Sequence, residues 1–147
     1  MIRIVYLVLL MGCGDFTSPI FNPNHNESEL STITFVLENE VDSNGYLHLV
    51  HNRNSFQSFH RITGYVYRDD KPMNVLKFGW WCDYNWEYDG FVIPIVNGSS
   101  YSGYDGEVNT MVGLVPQMIG DTITIYYGWY DDWKSEEVYG GINVVID

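Results

Sequence analysis

DTITIYYGW, residues 121–129, sets Ile123, Ile125 and Tyr127 against Thr122, Thr124 and Tyr126. Successive side chains of a strand point to opposite faces, so this pattern describes a strand with one apolar face and one wetter face. The same period of two recurs along the chain. TITFVLE at 32–38 alternates Ile33, Phe35 and Leu37, and RITGYVYR at 61–68 alternates Ile62, Gly64 and Val66 against Thr63, Tyr65 and Tyr67. NVLKFGWW at 74–81 places Leu76, Phe78 and Trp80 on one face, and EVNTMVGLV at 107–115 does the same for Val108, Thr110, Val112 and Leu114. GYLHLV at 45–50 follows the turn signal Asp42-Ser43-Asn44-Gly45, and VYGGINVVI at 138–146 closes the series. GFVIPIV at 90–96 carries Pro94, which confines it to a sheet edge or a bend. No stretch holds helical periodicity for long. About eight short strands at this spacing predict an all-β fold, an antiparallel two-sheet sandwich of about 7–8 strands, with a closed barrel as the structural alternative.

Composition agrees with strands. Alanine is absent, Lys and Arg number only seven, and the chain holds twelve Tyr and seven Phe among 16% aromatics. Good helix formers are scarce and β-formers abundant. With 46% hydrophobic residues the chain can build a core. The net charge of −12 makes nucleic acid and anionic lipid surfaces poor partners for the domain itself. Arg53, Arg61, Arg68, Lys71 and Lys77 lie in one central stretch, where they are expected as solvated residues at strand edges.

The start, MIRIVYLVLLMGCG, has a different character. Arg3 is followed by eight uncharged, mainly apolar residues, Ile4 to Met11, and then by Gly12-Cys13. The run is shorter than the roughly 20 residues of a membrane span but fits a signal core of about 7–15. Leu10-Met11-Gly12-Cys13 resembles the lipobox of bacterial lipoproteins, in which cleavage precedes a cysteine that becomes lipidated. The resemblance implies a signal peptide over residues 1–12, a lipidated Cys13 and a membrane anchor. It also implies a place in the cell envelope, facing the periplasm or the cell surface. Residues 13–31, rich in Asn, Ser and Pro, then read as a flexible tether, and 32–147 as the folded domain. With Cys13 lipidated, Cys82 has no disulfide partner and is expected as an inert, buried thiol beside Asp83.

The turns carry a second resemblance. ITGYVYRDDKPMNVLKF, then GYDGEVNTMVGLV, then IGDTITIYYG are similar to bacterial immunoglobulin-like and carboxypeptidase-regulatory-like modules, which run strand, turn, strand with D-G and G-D-T turns. Asp105-Gly106 and Gly120-Asp121-Thr122 match, whereas Asp70-Lys71-Pro72 departs from the usual Gly before Pro. The resemblance covers about half the chain. It implies an Ig-like sandwich used for adhesion or envelope structure, without catalytic residues.

Two clusters could carry binding: FGWWCDYNWEYDGF at 78–91 and YYGWYDDW at 126–133. Adjacent rings such as Trp80 and Trp81 face opposite sides of a strand, so one of each pair stays outside the core. Exposed Trp and Tyr beside carboxylates suit a sugar platform or a protein interface. The candidate ligand-binding residues are Trp81, Trp86, Trp129 and Trp133, with Asp83, Asp131 and Asp132 as polar neighbours. The functional expectation is a lipid-anchored, non-catalytic binding, adhesion or envelope protein. A carbohydrate-binding module is the alternative, and a small secreted hydrolase a third reading that needs two carboxylates, or a nucleophile and base, across a cleft. The expected partners are a membrane, reached through lipid, and a protein or glycan ligand.

No cofactor or metal is expected. The acidic pairs Asp69-Asp70, Asp131-Asp132 and Glu136-Glu137 read as loop residues that would suit Ca²⁺, but the EF-hand spacing is missing. His48 and His51 should point to opposite faces, and neither an H-E-x-x-H nor a Cys/His spacing occurs.

Overall fold

The computed structural model describes residues 31–96 and 98–147. The expected leader (residues 1–12), the expected lipidation site Cys13 and residues 14–30 of the expected tether lie outside them. The described residues form an all-β sandwich. Strands β1 (Ile33–Leu37), β3 (Ser58–Arg68), β4 (Lys71–Pro72) and β9 (Glu107–Leu114) make one sheet. The long β3 is its centre: β1 pairs along one edge, and β9 and the short β4 lie in line along the other. The second sheet has the order β2 (Leu47–Leu49), β11 (Glu136–Ile146), β10 (Thr122–Asp131), β5 (Lys77–Cys82), β8 (Ser99–Tyr101). β6 (Asn85–Tyr88) and β7 (Phe91–Pro94) form a separate hairpin, which Pro94 ends. β7 pairs only with β6 there, and so meets the edge position that proline requires.

The sandwich and the main strands agree with the sequence reading. The short strands β4, β6 and β8 add to it, and β2 runs parallel to β11 within an otherwise antiparallel arrangement.

The core is the apolar parity of each strand. Ile62 and Val66 of β3, Val108, Val112 and Leu114 of β9, and Ile125, Val144 and Ile146 of the facing sheet are all buried. Phe78 of β5 is its hub, with the rings of Phe35, Trp80, Tyr127 and Trp129 at 5.3, 5.0, 5.7 and 5.6 Å. Trp80 is buried whereas Trp81 is 38% exposed, as opposite parity requires.

Acidic residues build the turns. Asp69 and Asp70 join β3 to β4 with positive φ at both positions, a conformation that Asp tolerates better than most residues. Gly106 opens β9 with φ +81°, and a Cβ there would sit 2.5 Å from the Val66 carbonyl oxygen. The Asp105-Gly106 turn is therefore demanded both by backbone conformation and by space. Asp42 folds its own turn by accepting the N–H groups of Asn44 and Tyr46, each at 2.8 Å.

Three expectations are corrected here. Glu136 and Glu137 are not loop residues: they open β11, paired with Asp131 and Tyr130 of β10. Arg68 is not a solvated edge residue: it closes β3 on the inner face, 8% exposed. Asp131 is not a loop residue: it closes β10 on the inner face, 1% exposed. The inward parity of both strands brings the two together, and Arg68 Nη2 donates to Asp131 Oδ1 at 2.5 Å. The Trp133 ring covers the guanidinium at 3.9 Å, and its backbone N–H donates to the same carboxylate oxygen. The charge pair thus bridges the two sheets, with an indole over the outer side.

At the β2 edge, His48 faces solvent while His51 is buried, in line with their spacing. His48 Nδ1 lies 2.8 Å from Asp147 Oδ2 and its Nε2 3.4 Å from Asp42 Oδ2. The hydrogen bond to Asp147, followed by that to Asp42, holds its pKa above the ordinary histidine value. A folded-state pKa above the unfolded value of about 6.5 adds stability that is fully present below pH 6.5 and lost as pH rises through the raised value. Tm should therefore fall as the pH climbs from just below 6.5 through the raised pKa, and His48→Gln should remove that part of the slope. Thermal unfolding across this window, with an NMR titration of His48, checks the prediction; a His48 that titrates at or below 6.5 contradicts it.

Candidate functional site

The outward face of the five-stranded sheet departs from an ordinary wet face. A solvated strand face is usually polar and charged. Here the outward positions include Lys77, Gly79 and Trp81 on β5, Tyr126, Gly128 and Tyr130 on β10, and Glu137, Tyr139 and Gly141 on β11, while Thr122, Thr124 and Asn143 continue the same parity as ordinary polar positions. Strand register sets them in rows. Ser99 opposes Gly79, Gly79 opposes Gly128, and Gly128 opposes Tyr139. The row on one side holds the pairs Tyr101–Lys77 and Tyr130–Glu137. The row on the other holds Trp81, Tyr126 and Gly141.

The two glycines make this relief. A Cβ on Gly128 would meet the Tyr139 ring at 2.7 Å, the Val138 carbonyl oxygen at 2.8 Å and the Trp81 ring at 3.3 Å. Its absence lets Trp81 and Tyr139 approach each other over β10, edge to face with centroids 5.8 Å apart. Trp81 also stacks on Tyr126 at 5.8 Å and 17°. Gly79 is different: a Cβ there would meet only ordinary contacts, at 3.7 and 3.9 Å. The space above it is open, and it forms a cleft of about 230 Å³ walled by Lys77, Trp81, Ser99, Tyr130, Glu137 and Tyr139.

Polar groups are held on this rim. The Tyr139 hydroxyl donates to the Glu137 carboxylate. That bond, with desolvation and the carboxylate charge behind it, raises the tyrosine pKa, so the hydroxyl stays protonated at neutral pH. Beyond the Trp81–Tyr126 stack lies a second depression of about 220 Å³, lined by Asp83, Tyr84, Thr122, Thr124 and Tyr126 and reaching Cys82. Cys82 is a free, half-buried thiol whose pKa is raised by burial, in keeping with the inert role expected of it.

The candidates read from sequence separate on this geometry. Trp81 and Asp83 fall on the aromatic face, in the first and second depressions respectively. Trp129 faces the core, 7% exposed and stacked on Phe78 and Tyr127, so its ring meets no solvent ligand. Trp86 is 8% exposed, packed among core residues and beside Tyr88 of its own strand and Phe56 of the loop between β2 and β3. Asp131 is committed to Arg68. Trp133 and the exposed Asp132 lie in the turn after β10, where Trp133 covers Arg68. The two aromatic clusters thus meet on one face only through Trp81, Tyr126 and Tyr130, while Trp86, Trp129 and Trp133 lie elsewhere. Tyr126, Tyr130, Tyr139, Lys77 and Glu137 are the members that sequence reasoning missed. Their signal was the outward parity of β5, β10 and β11, which gathers Trp81, Tyr126, Tyr130 and Tyr139 with glycines and the charged Lys77 and Glu137.

Among the described residues no group of three or more His, Cys, Asp or Glu could hold a metal ion, and no helix is long and apolar enough to cross a membrane. Comparison with protein-family models, with curated proteins and with solved structures gives no match.

Proposed function

We propose that this chain is a lipid-anchored, non-catalytic binding protein of the bacterial cell envelope. Cys13 carries the lipid, residues 13–31 form the tether, and an Ig-like sandwich displays a surface for adhesion or envelope assembly. The observation that carries the binding reading is the outward face of the five-stranded sheet. Its exposed Trp81 and Tyr139 close over Gly128, with the exposed Tyr101 and Tyr130 in the neighbouring row, an arrangement that adds nothing to the core and suits a partner surface. The anchor reading is supported by the run from Arg3 to Cys13. The strong negative charge of the domain fits attachment through lipid better than through adsorption to an anionic bilayer.

A second reading, a carbohydrate-binding module on the same sandwich, is favoured by the cleft over Gly79. Anchoring has a direct test. The wild-type chain should fractionate with membranes and yield an N-terminal fragment beginning at diacylated Cys13 in mass spectrometry. Cys13→Ser should appear in the soluble fraction or as uncleaved precursor without lipid. An unlipidated wild-type protein still beginning at Met1 refutes the anchor.

A further inference from the structure

We infer that the aromatic face is a binding site for a neutral, linear oligosaccharide, lying over Gly79 and across the Trp81–Tyr126 stack. This rests on the binding reading above and names the ligand class of that surface. Three features favour a sugar chain over other occupants. First, the cleft is local and walled: a flat protein surface would bridge the standing side chains of Lys77, Tyr130 and Tyr139 and leave the floor at Gly79 empty. A thin ligand reaches that floor.

Second, the walls are amphipathic in the way a pyranose is. Rings offer apolar faces to the C–H side of a sugar, while Ser99, Lys77 and Glu137 offer donors and acceptors for hydroxyls. An apolar side chain seated in the cleft would leave those polar groups without partners. The hydrogen bond from Tyr139 to Glu137 fixes two of the groups before any ligand arrives, which limits the entropy lost on binding. Third, charge selects neutrality. The chain carries −12 overall and Glu137 stands in the wall, so an anionic sugar is repelled, and Lys77 is the one cation lining the cleft.

Length follows from the two depressions. They lie on opposite sides of the Trp81–Tyr126 stack, one containing Gly128 and the other Thr124, four residues apart on β10. At a strand's rise this separation is roughly 13 Å. A single sugar ring cannot occupy both, so the site takes an oligosaccharide, with one unit over Gly79, one over the ring stack, and one beside Thr124 and Asp83.

The test uses the full lipidated chain in detergent micelles against an array of neutral cello-, xylo-, malto- and chito-oligosaccharides, with sulfated and uronate-containing chains alongside. At least one neutral series should bind, with affinity rising from the monosaccharide to the trisaccharide. Gly79→Val fills the cleft from a position where a Cβ meets only ordinary contacts, and should weaken binding by about tenfold or more without lowering Tm. Trp81→Ala, which leaves the cleft floor open but removes the ring, should weaken it by a similar factor. Sugar binding that survives both variants, or that prefers the anionic chains, overturns the inference. If no sugar binds but an envelope protein is retained by the wild type and lost with Gly79→Val, the sugar inference falls while the binding reading stands. If neither ligand is retained, both fall, and the anchor is judged separately by Cys13→Ser.

Discussion

Asp131→Ala should destabilise the domain by about 3–5 kcal/mol, far more than its position beside an exposed turn suggests. The carboxylate is 1% exposed, and Arg68 is 8% exposed. Arg68 Nε has no hydrogen-bond partner, so the bond from Nη2 to Asp131 is the main compensation for burying the charge. Removing the acid strands a desolvated guanidinium between the sheets, with Trp133 over it at 3.9 Å. It also removes the acceptor of the Trp133 backbone N–H, which ties the turn to the end of β10. Two companion variants separate charge from packing. Asp131→Asn keeps the acceptor and the shape, so it should lose less. The pair Arg68→Met with Asp131→Leu removes both charges and should recover most of the loss, since a buried ion pair often breaks even against apolar groups of similar volume. Urea unfolding of the four proteins measures this. A single-variant loss below about 1 kcal/mol would show the pair behaving as a surface salt bridge.

How much of this was legible in the sequence depends on the range of the interaction. Period-two alternation is local, and it recovered the inner faces of β1, β3, β5, β9 and β10. The same rule carried two residues further places Trp129 and Asp131 on the inner side of β10, in line with Ile123, Ile125 and Tyr127. Clustering of aromatic and acidic residues obscured that parity, because YYGWYDDW reads as a group although alternate members leave on opposite faces. The short strands β4, β6 and β8 are too brief for a period to show. Their existence is decided by partners, as when Gly79 and Phe78 pair with Ser99 and Ser100. Sheet order and the parallel β2–β11 pairing are likewise long-range outcomes, and local patterning does not encode them. The site shows the same division. Trp81 was legible as the outward partner of Trp80. The cleft was not, because it exists only where inter-strand register sets Gly79 beside Gly128 and Gly128 beside Tyr139.

The second large effect is Phe78→Ala, expected to lose about 3–5 kcal/mol. Phe78 is fully buried and meets four aromatic rings contributed by β1, β5 and β10. Rings are stiff, and Phe35, Tyr127 and Trp129 are also held by one another, so they cannot collapse to fill the space. The loss then includes both the transfer of the ring and the cavity left behind, whereas Phe78→Leu, which refills part of the volume, should lose less. Phe91 supplies the contrast: on the β6–β7 hairpin it is 70% exposed, and Phe91→Ala should stay within about 0.5 kcal/mol. Phe78 also sits in sequence between Lys77 and Gly79, the outward residues of the cleft. A cavity beneath β5 loosens the strand that forms the floor, so Phe78→Ala should weaken ligand binding together with stability, unlike Gly79→Val, which should weaken binding without loss of stability. Denaturant unfolding paired with binding for both variants makes the comparison. Equal stability losses in the two would place the glycine's role in packing rather than in the open space above it.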